Sequence, residues 1–408
     1  MQRPFEVVVF GATGFTGQLV ATYLAKRYPG LRWAIAGRDG DKLAAVRAQL
    51  AEIDPALSEL SLLLADGRDG RALREVAEQT IALASTAGPF ARHGSELVGA
   101  CVERGTHYCD ITGEVQWVQR MIQAHHRTAE ARGVRIVHSC GYDSLPSDLG
   151  VFTLQRHARE AHGRPCREVR ALSYMKAPMF SGGTFESVFH LMEEALTDPA
   201  VRSVFLDPRA LEPDASHTEG SRRDPRGPAY EAAAGVFTAP SMMGPANVRM
   251  VYRTNALLDY AYGHDFSYDE RMPAGEGIRG ALTASAMAVG MLSAQVGMAI
   301  APVRNLVRRF LPKPGEGPSE QARENSSFSH EFYAALGEKR LRARFGAAGD
   351  PGYGETSKML AESVLCLSRD REQLPAGGGV VTAGAAMGAR LIERLRAAGI
   401  SISAWTEA

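Results

Sequence analysis

The 408-residue chain is poor in the features that mark secreted, metal-binding or nucleic-acid-binding proteins. Its five cysteines, Cys101, Cys109, Cys140, Cys166 and Cys366, are odd in number and include no Cys-x-x-Cys pair. That argues against a disulfide framework or a zinc site and fits a reducing compartment. No His/Cys/Asp cluster has metal-ligand spacing, so no metal is expected. Neither sign of charge is in excess, with 46 Lys plus Arg against 46 Asp plus Glu. No global field therefore draws the chain to nucleic acid. Internal repeats and charge blocks are absent. A strand pattern begins within four residues of Met1, which leaves no room for a targeting segment, and a cytoplasmic protein is expected. The remainder, 45% hydrophobic and 23% charged, is ordinary globular composition, enough for two domains.

The first feature present is an apolar strand, Phe5–Phe10, running straight into Gly11, Gly14 and Gly17. Three glycines at this spacing suit a sharp strand-to-helix turn, a close backbone approach to a pyrophosphate, and tight packing of helix on sheet. Leu19, Val20, Tyr23, Leu24 and Tyr28 then mark one face of a helix. Its free N–H groups and positive dipole end would hold phosphates, making Gly11, Thr13, Gly14, Phe15, Thr16 and Gly17 candidate cofactor contacts. Strand patterns at Phe5–Phe10, Arg32–Ala36, Ser61–Ala65, Ile81–Thr86, His107–Asp110 and Val134–His138 alternate with helices starting near Thr16, Asp41, Asp69, His93 and Glu114. Such alternation predicts an α/β fold with an N-terminal parallel-sheet Rossmann domain over 1–150. Gly133 is the expected C-cap glycine before strand six. At the end of strand two, where an NAD enzyme carries an acid, this chain has Arg38, 21 residues past Gly17. A guanidinium there suits the 2′-phosphate of NADP, while Asp39 is better placed to cap the next helix.

After Gly150 the rhythm changes to a second α+β domain, expected over 151–354 and to carry substrate and any homodimer contact. Strands are predicted over Glu168–Lys176 and Val248–Thr254, with a hairpin of His330–Ala335 and Arg340–Gly346 around Gly337. Helices are predicted over Thr184–Leu196, Ala281–Phe310 and Thr356–Cys366. Asp207–Pro228 and Leu311–Ser326 read as loops. Helices within 355–408, including Leu391 and Leu395, are expected to return to the first domain.

The proton donor is the harder question. None of the twelve tyrosines has a lysine four residues later, which removes the short-chain dehydrogenases and their Tyr-x-x-x-Lys. Three segments fall at predicted strand ends, where doubly wound sheets bind ligands. They are Ser85–Phe90 with Thr86, Gly88 and Pro89, then Gly105–Glu114, then Cys140–Asp148. Together these closely resemble the saccharopine dehydrogenase-like oxidoreductases, and within them the trans-acting enoyl reductases. Ser181-Gly182-Gly183-Thr184 and Asp350–Thr356 with Lys358, Met359 and Glu362 are similar to further motifs of that group. The resemblance spans nearly the whole chain and is weakest over 200–330. It implies NADP(H), an oxidoreductase activity and an acyl or related lipid substrate.

Each site residue has a functional and a structural reading. Thr86, Gly88, Pro89 and Phe90 would lie beside the nicotinamide ribose, with Asp110 and Gly141 near the cofactor. Asp110 and Glu114 are candidate acid-base groups or would orient the nicotinamide carboxamide; Glu114, also a substrate candidate, reads otherwise as the cap of its own helix. Ser144 or Ser147 is expected as an N-cap before Pro146, with Ser144 also a substrate candidate. Tyr142 and Thr112 are the candidate proton donors. Cys140 reads as a packed residue, and His93 and His138 as structural. Gly183 and Thr184 are either a phosphate or thioester contact or a plain helix start.

Ala281–Pro302 carries no charge, between Arg279 and Arg304. Its many Ala, Gly, Ser and Met residues make a membrane span the least favoured reading, behind a buried or interface helix and a peripheral lipid or acyl contact over 281–310. An apolar or carrier-bound acyl substrate follows from that run together with the resemblance. The alternatives are a saccharopine-type amino-acid dehydrogenase or imine reductase, and a lipid-associated NADP-binding protein with little catalysis.

Overall fold

Two seven-stranded sheets organise the computed structural model, which describes residues 3–176, 182–213, 224–225, 227–300, 302–304 and 318–407. The first sheet holds β1 (Phe5–Phe10), β2 (Trp33–Gly37), β3 (Ser61–Leu64), β4 (Thr80–Ser85), β5 (His107–Asp110), β6 (Arg135–Val137) and, from far along the chain, β13 (Gly379–Val381). Its order is β13-β6-β5-β4-β1-β2-β3 and every pairing is parallel. This is the doubly wound arrangement, with the order reversing between β1 and β4.

Helices cover both faces of that sheet, which is why its central strands are apolar without alternation. On one face α1 (Phe15–Arg27) and α2 (Gly40–Ile53) pack over Val7, Val9 and Ile35. On the other, α3 (Gly70–Glu78), α5 (Ser95–Arg104) and α6 (Val115–Ala131) pack over Val8, Phe10 and Leu83. A short α4 (Phe90–His93) precedes α5. Gly133 sits just past α6 at φ +65°, the left-handed geometry that ends a helix without a Cβ clash.

The helix α7 (Leu145–His162) leads into the second sheet. That sheet comprises β7 (Glu168–Lys176), β8 (Ala229–Glu231), β9 (Val236–Pro240), β10 (Ser267–Gly275), β11 (Ser327–Leu336), β12 (Lys339–Ala348) and β14 (Ser401–Thr406). Its order is β14-β12-β11-β7-β10-β9-β8, antiparallel except for β7 beside β10. α7 lies so close beneath it that a Cβ on Gly150 would collide with the Phe332 ring. The expected hairpin forms, turning at Gly337 with φ +66°.

Three expectations need correction. Val248–Thr254 is not a strand but the middle of α10 (Gly244–Leu257). Its β-branched and aromatic residues suggested a strand, yet a helix buried on all sides shows no clean periodicity. Pro245 starts it, and Arg249 and Arg253, one turn apart, cap carbonyls of other elements at Val204, Phe205, Leu211 and Val380. The helix expected over Ala281–Phe310 is α11 (Gly277–Ala299), which ends where Ile300 turns extended; residues 305–310 lie outside the described residues. The expected C-terminal helices exist as α12 (Thr356–Arg369) and α13 (Gly388–Ala397). The same segment also supplies β13 to the first sheet and β14 to the second, strands too short or too mixed to read as such. Between α7 and α10 lie α8 (Gly182–Thr197) and α9 (Pro199–Leu206), and much of the two predicted loops lies outside the described residues.

Candidate functional site at the carboxyl edge of the parallel sheet

The loops after β1, β2, β4, β5 and β6 converge on one edge. After β1, Gly11 takes φ +83°, and a Cβ on Gly17 would collide with the Gly11 carbonyl oxygen. Both positions therefore require glycine. Gly14 is the N-cap of α1 and offers no side chain to its first turn. Gln18 Nε2 donates to the Thr13 carbonyl at 3.1 Å and braces the loop. The result is a backbone cradle at a helix N-terminus, where first-turn N–H groups lack intrahelical partners and suit a pyrophosphate. Phe15 and Thr16 open the helix, and the Phe15 ring meets Tyr353 edge-on at 5.0 Å.

Arg38 stands exposed just past β2, with no ion pair among the described residues. Asp39 caps α2, accepting from Lys42 N at 3.1 Å, as expected. Arg38 and Arg68 both act on His93, whose imidazole is pushed below its usual range by burial and then by these cations. Two guanidinium groups thus share this corner of the edge.

After β4, the Thr86 hydroxyl donates to the Gly11 carbonyl at 3.1 Å, tying the two loops together. The Gly88–Pro89 peptide is cis. Phe90 N and Ala91 N then donate to the Glu114 carboxylate at 2.8 and 3.1 Å. Glu114 therefore caps α4, not its own helix as the structural reading supposed, and it holds the 86–90 loop in place. Phe90 stacks on Trp117 beneath.

Asp110 is fully buried and engaged, accepting from Thr112 N and Ser139 N at 3.1 Å each, with His138 Nδ1 at 2.7 Å. The Thr112 hydroxyl accepts from Glu114 N at 3.1 Å and is also buried. Both residues brace the loop ends. Cys140 is buried, as read.

Beyond β6, Gly141 leads to Tyr142, whose N–H donates to Thr356 Oγ1 at 2.9 Å. The Tyr142 hydroxyl lies 3.2 Å from both Ser173 Oγ and His330 Nε2, and those two lie 3.2 Å apart. Ser173 and His330 pair directly across β7 and β11 of the second sheet. The phenol thus bridges the two sheets, its ring edge-on to Phe328 and His330. Burial raises the Tyr142 phenol above its usual range and lowers the His330 imidazole, whose Nδ1 has no hydrogen-bond partner among the described residues. Ser173 and His330 were not foreseen. They are separated from Tyr142 by 31 and 188 residues, and no local pattern joins them.

Asp143 is half-buried beside Gly113, and burial, helped by the Asp110 charge, pushes its carboxyl up to about 7. Ser144 occupies the N-cap of α7 without capping it. Its hydroxyl donates to Asn247 Oδ1 at 2.8 Å, and Ser147 donates to Glu270 at 2.6 Å. The expected serine cap is thereby corrected: the deeper polar network of α10 and β10 outcompetes the helix end. Gly183 and Thr184 lie in the first turn of α8, and the Thr184 side chain lies outside what the structure describes. No group of three metal-binding side chains occurs among the described residues.

Comparison with known proteins gives the family. A Mycobacterium ulcerans trans-acting enoyl reductase is 38% identical over 99% of this chain and 98% of its own length. The chain belongs to the saccharopine dehydrogenase-like oxidoreductases. A Mycobacterium tuberculosis relative, itself only provisionally described as a trans-acting enoyl reductase, is 39% identical over 98% of this chain and 97% of its length. The family model of the saccharopine dehydrogenase NADP binding domain matches residues 7–137. Saccharopine dehydrogenase (L-Glu forming) from Saccharomyces cerevisiae shares the fold, with a TM-score of 0.56 at 12% identity over 99% of this chain and 100% of that one. This saccharopine dehydrogenase-like chain is an NADP-dependent oxidoreductase. The uncapped glycine cradle fits the cofactor's pyrophosphate, and the unpaired Arg38 fits the chemistry of a 2′-phosphate.

Proposed function

We propose that this oxidoreductase uses NADPH to reduce the carbon–carbon double bond of an enoyl thioester, on a carrier or a small acyl group. One observation carries the reading beyond the relatives' names. The polar group bridging the sheets is uncharged, and the ionisable group acting on both Tyr142 and His330 is an acid, Glu270. No arginine contacts Tyr142, Ser173 or His330 among the described residues. A dicarboxylate amino acid would need such cations, and an acyl thioester does not.

The bound cofactor supplies the hydride, which goes to the β-carbon. The protein's part is to hold the reactants and move one proton. Residues 11–17 would seat the pyrophosphate, and Arg38 the 2′-phosphate. The 86–90 backbone, fixed by Glu114, would flank the nicotinamide ribose, with Gly141 opposite. Tyr142 would deliver a proton from its hydroxyl to the α-carbon. The hydroxyl of Ser173 and the neutral imidazole of His330 lie at hydrogen-bonding distance to stabilise the phenolate and help return its proton. The products are the saturated thioester and NADP⁺. Thr112 is the second candidate donor, since its hydroxyl accepts from Glu114 N and keeps its own proton. The deciding experiment offers purified protein a crotonyl-type thioester with NADPH, and saccharopine with either oxidised cofactor. Turnover of the thioester alone supports the reading, and turnover of saccharopine alone overturns it.

A further inference from the structure

The helix α11 turns its apolar side away from the protein. Ile278, Leu282, Val289, Leu292, Val296 and Ile300 are 82%, 67%, 64%, 61%, 56% and 49% exposed. The spacing of the first five puts them on one stripe of the helix, with Ile300 just past its end. Across the long apolar window Gly277–Met298, only 6% is buried, so this is no core helix, and its mid-chain position is not that of a signal sequence. Aliphatic area of this extent is not left bare on a soluble surface without an occupant.

The two ends of the helix define how it sits. At the start, Gly280 lies so close to Gly275 of β10 that a Cβ would collide with its carbonyl, and Ala284 is buried where α11 packs on β9 and β10. Just past the end, Arg304 pairs with Glu193 of α8 at 3.3 Å and donates to the Met298 carbonyl at 2.8 Å. Both ends are therefore fastened to the same body. A bilayer cannot pass between them, which excludes a span and leaves the helix lying along a surface for roughly 34 Å.

The chemistry of the stripe selects the occupant. From Gly280 to Val303 there is no charged and no aromatic residue. Protein interfaces are anchored by Trp, Tyr and Arg, and this stripe has none of them. Exposed Ser285 donates to the Ala281 carbonyl of its own helix at 2.9 Å, so its hydroxyl needs no outside partner. Arg279 is exposed at one end, and the sequence beyond the other end adds Arg308, Arg309 and Lys313. Basic residues flanking an aliphatic run in the sequence complement anionic headgroups over acyl chains.

We propose that α11 is a peripheral membrane-contact helix, lying in the boundary between headgroups and acyl chains of an anionic lipid surface. This goes beyond the reductase reading and is tested without substrate. Full-length protein is floated with vesicles of phosphatidylcholine plus phosphatidylglycerol, and with phosphatidylcholine alone. Wild type is expected in the floating fraction with the anionic vesicles, about tenfold less when Leu282, Leu292 and Val296 are all replaced by Gln. The triple variant should bind NADPH as wild type does, which reports that it has folded. Failure of wild type to float, or equal flotation of both proteins, overturns the proposal. So does a wild-type dimer, seen by light scattering, that the triple variant turns to monomer without any vesicle binding, because a second copy then covers the stripe. If the triple variant fails to bind NADPH, Leu292→Gln alone serves, with the same outcomes.

Discussion

Along β1, Val7, Val8 and Val9 are all fully buried, whereas along β11 Phe328, His330 and Phe332 are buried while Ser329 and Glu331 between them are not. The first pattern belongs to a sheet covered on both faces, the second to one with an inner and an outer face. A doubly covered sheet can meet a ligand only at its strand ends, and its glycines and helix starts gather there. A sheet with one working face can offer side chains from neighbouring strands, as β7 and β11 offer Ser173 and His330. The division of labour proposed for this enzyme, cofactor on an edge and substrate under a face, follows from that contrast.

The contrast is broken most severely at Gly17. Gly17→Val should reduce NADPH affinity by more than about 100-fold and lower the melting temperature, since the added atoms meet backbone that cannot move aside. Nucleotide fluorescence titration and a thermal melt measure both. If Val is accepted with full affinity, the cradle is not where the pyrophosphate sits. On the second sheet the proposed roles are chemical, so Tyr142→Phe should cut thioester turnover by about 10²-fold or more and leave the NADPH dissociation constant unchanged. A loss confined to cofactor binding would move Tyr142 from the substrate side to the cofactor side.

A smaller effect is expected at the exposed corner. Arg38→Ala should weaken NADPH by about 10- to 100-fold, the worth of a charge-assisted phosphate contact, and leave NADH unchanged. Equal losses for both nucleotides would remove the 2′-phosphate role. A different kind of change, in pH dependence, is expected at Asp143. Its carboxyl rises from an ordinary 3.8 to about 7 in the folded protein, so folding favours the protonated form. The stability it contributes is complete below about pH 4 and is lost as pH rises through 7. Asp143→Asn should therefore flatten the stability profile between those values, as read by urea unfolding at several pH values. A slope unchanged by the substitution would mean that Asp143 titrates normally.

The first sheet was largely legible in the sequence because β1 to β4 are mainly apolar runs, each followed by a turn and a helix. β13 was not, since Gly379-Val380-Val381 is three residues long and gains its identity only from β6 beside it. α10 was misread because Arg249 and Arg253, which look like surface residues, are buried caps for carbonyls distant in sequence. Of the site, the glycine turn and the strand-end motifs were readable, being local. The Glu114 contact to the 86–90 loop and the Tyr142–Ser173–His330 group exist only once the sheets have formed, so no spacing announces them.

The last thirty residues of this chain behave as a stitch. β13 completes the edge of one sheet and, some twenty residues later, β14 completes the edge of the other, with α13 between them. A nucleotide-binding fragment ending near residue 150 would lack both that edge strand and α12, whose Met359, Leu360 and Val364 are buried in the core beneath β1, β4 and β5. Neither half can be excised intact. The same stitch means that no single linker separates the halves, because three chain crossings, β6 to β7, β12 to β13 and β13 to β14, join the two sheets.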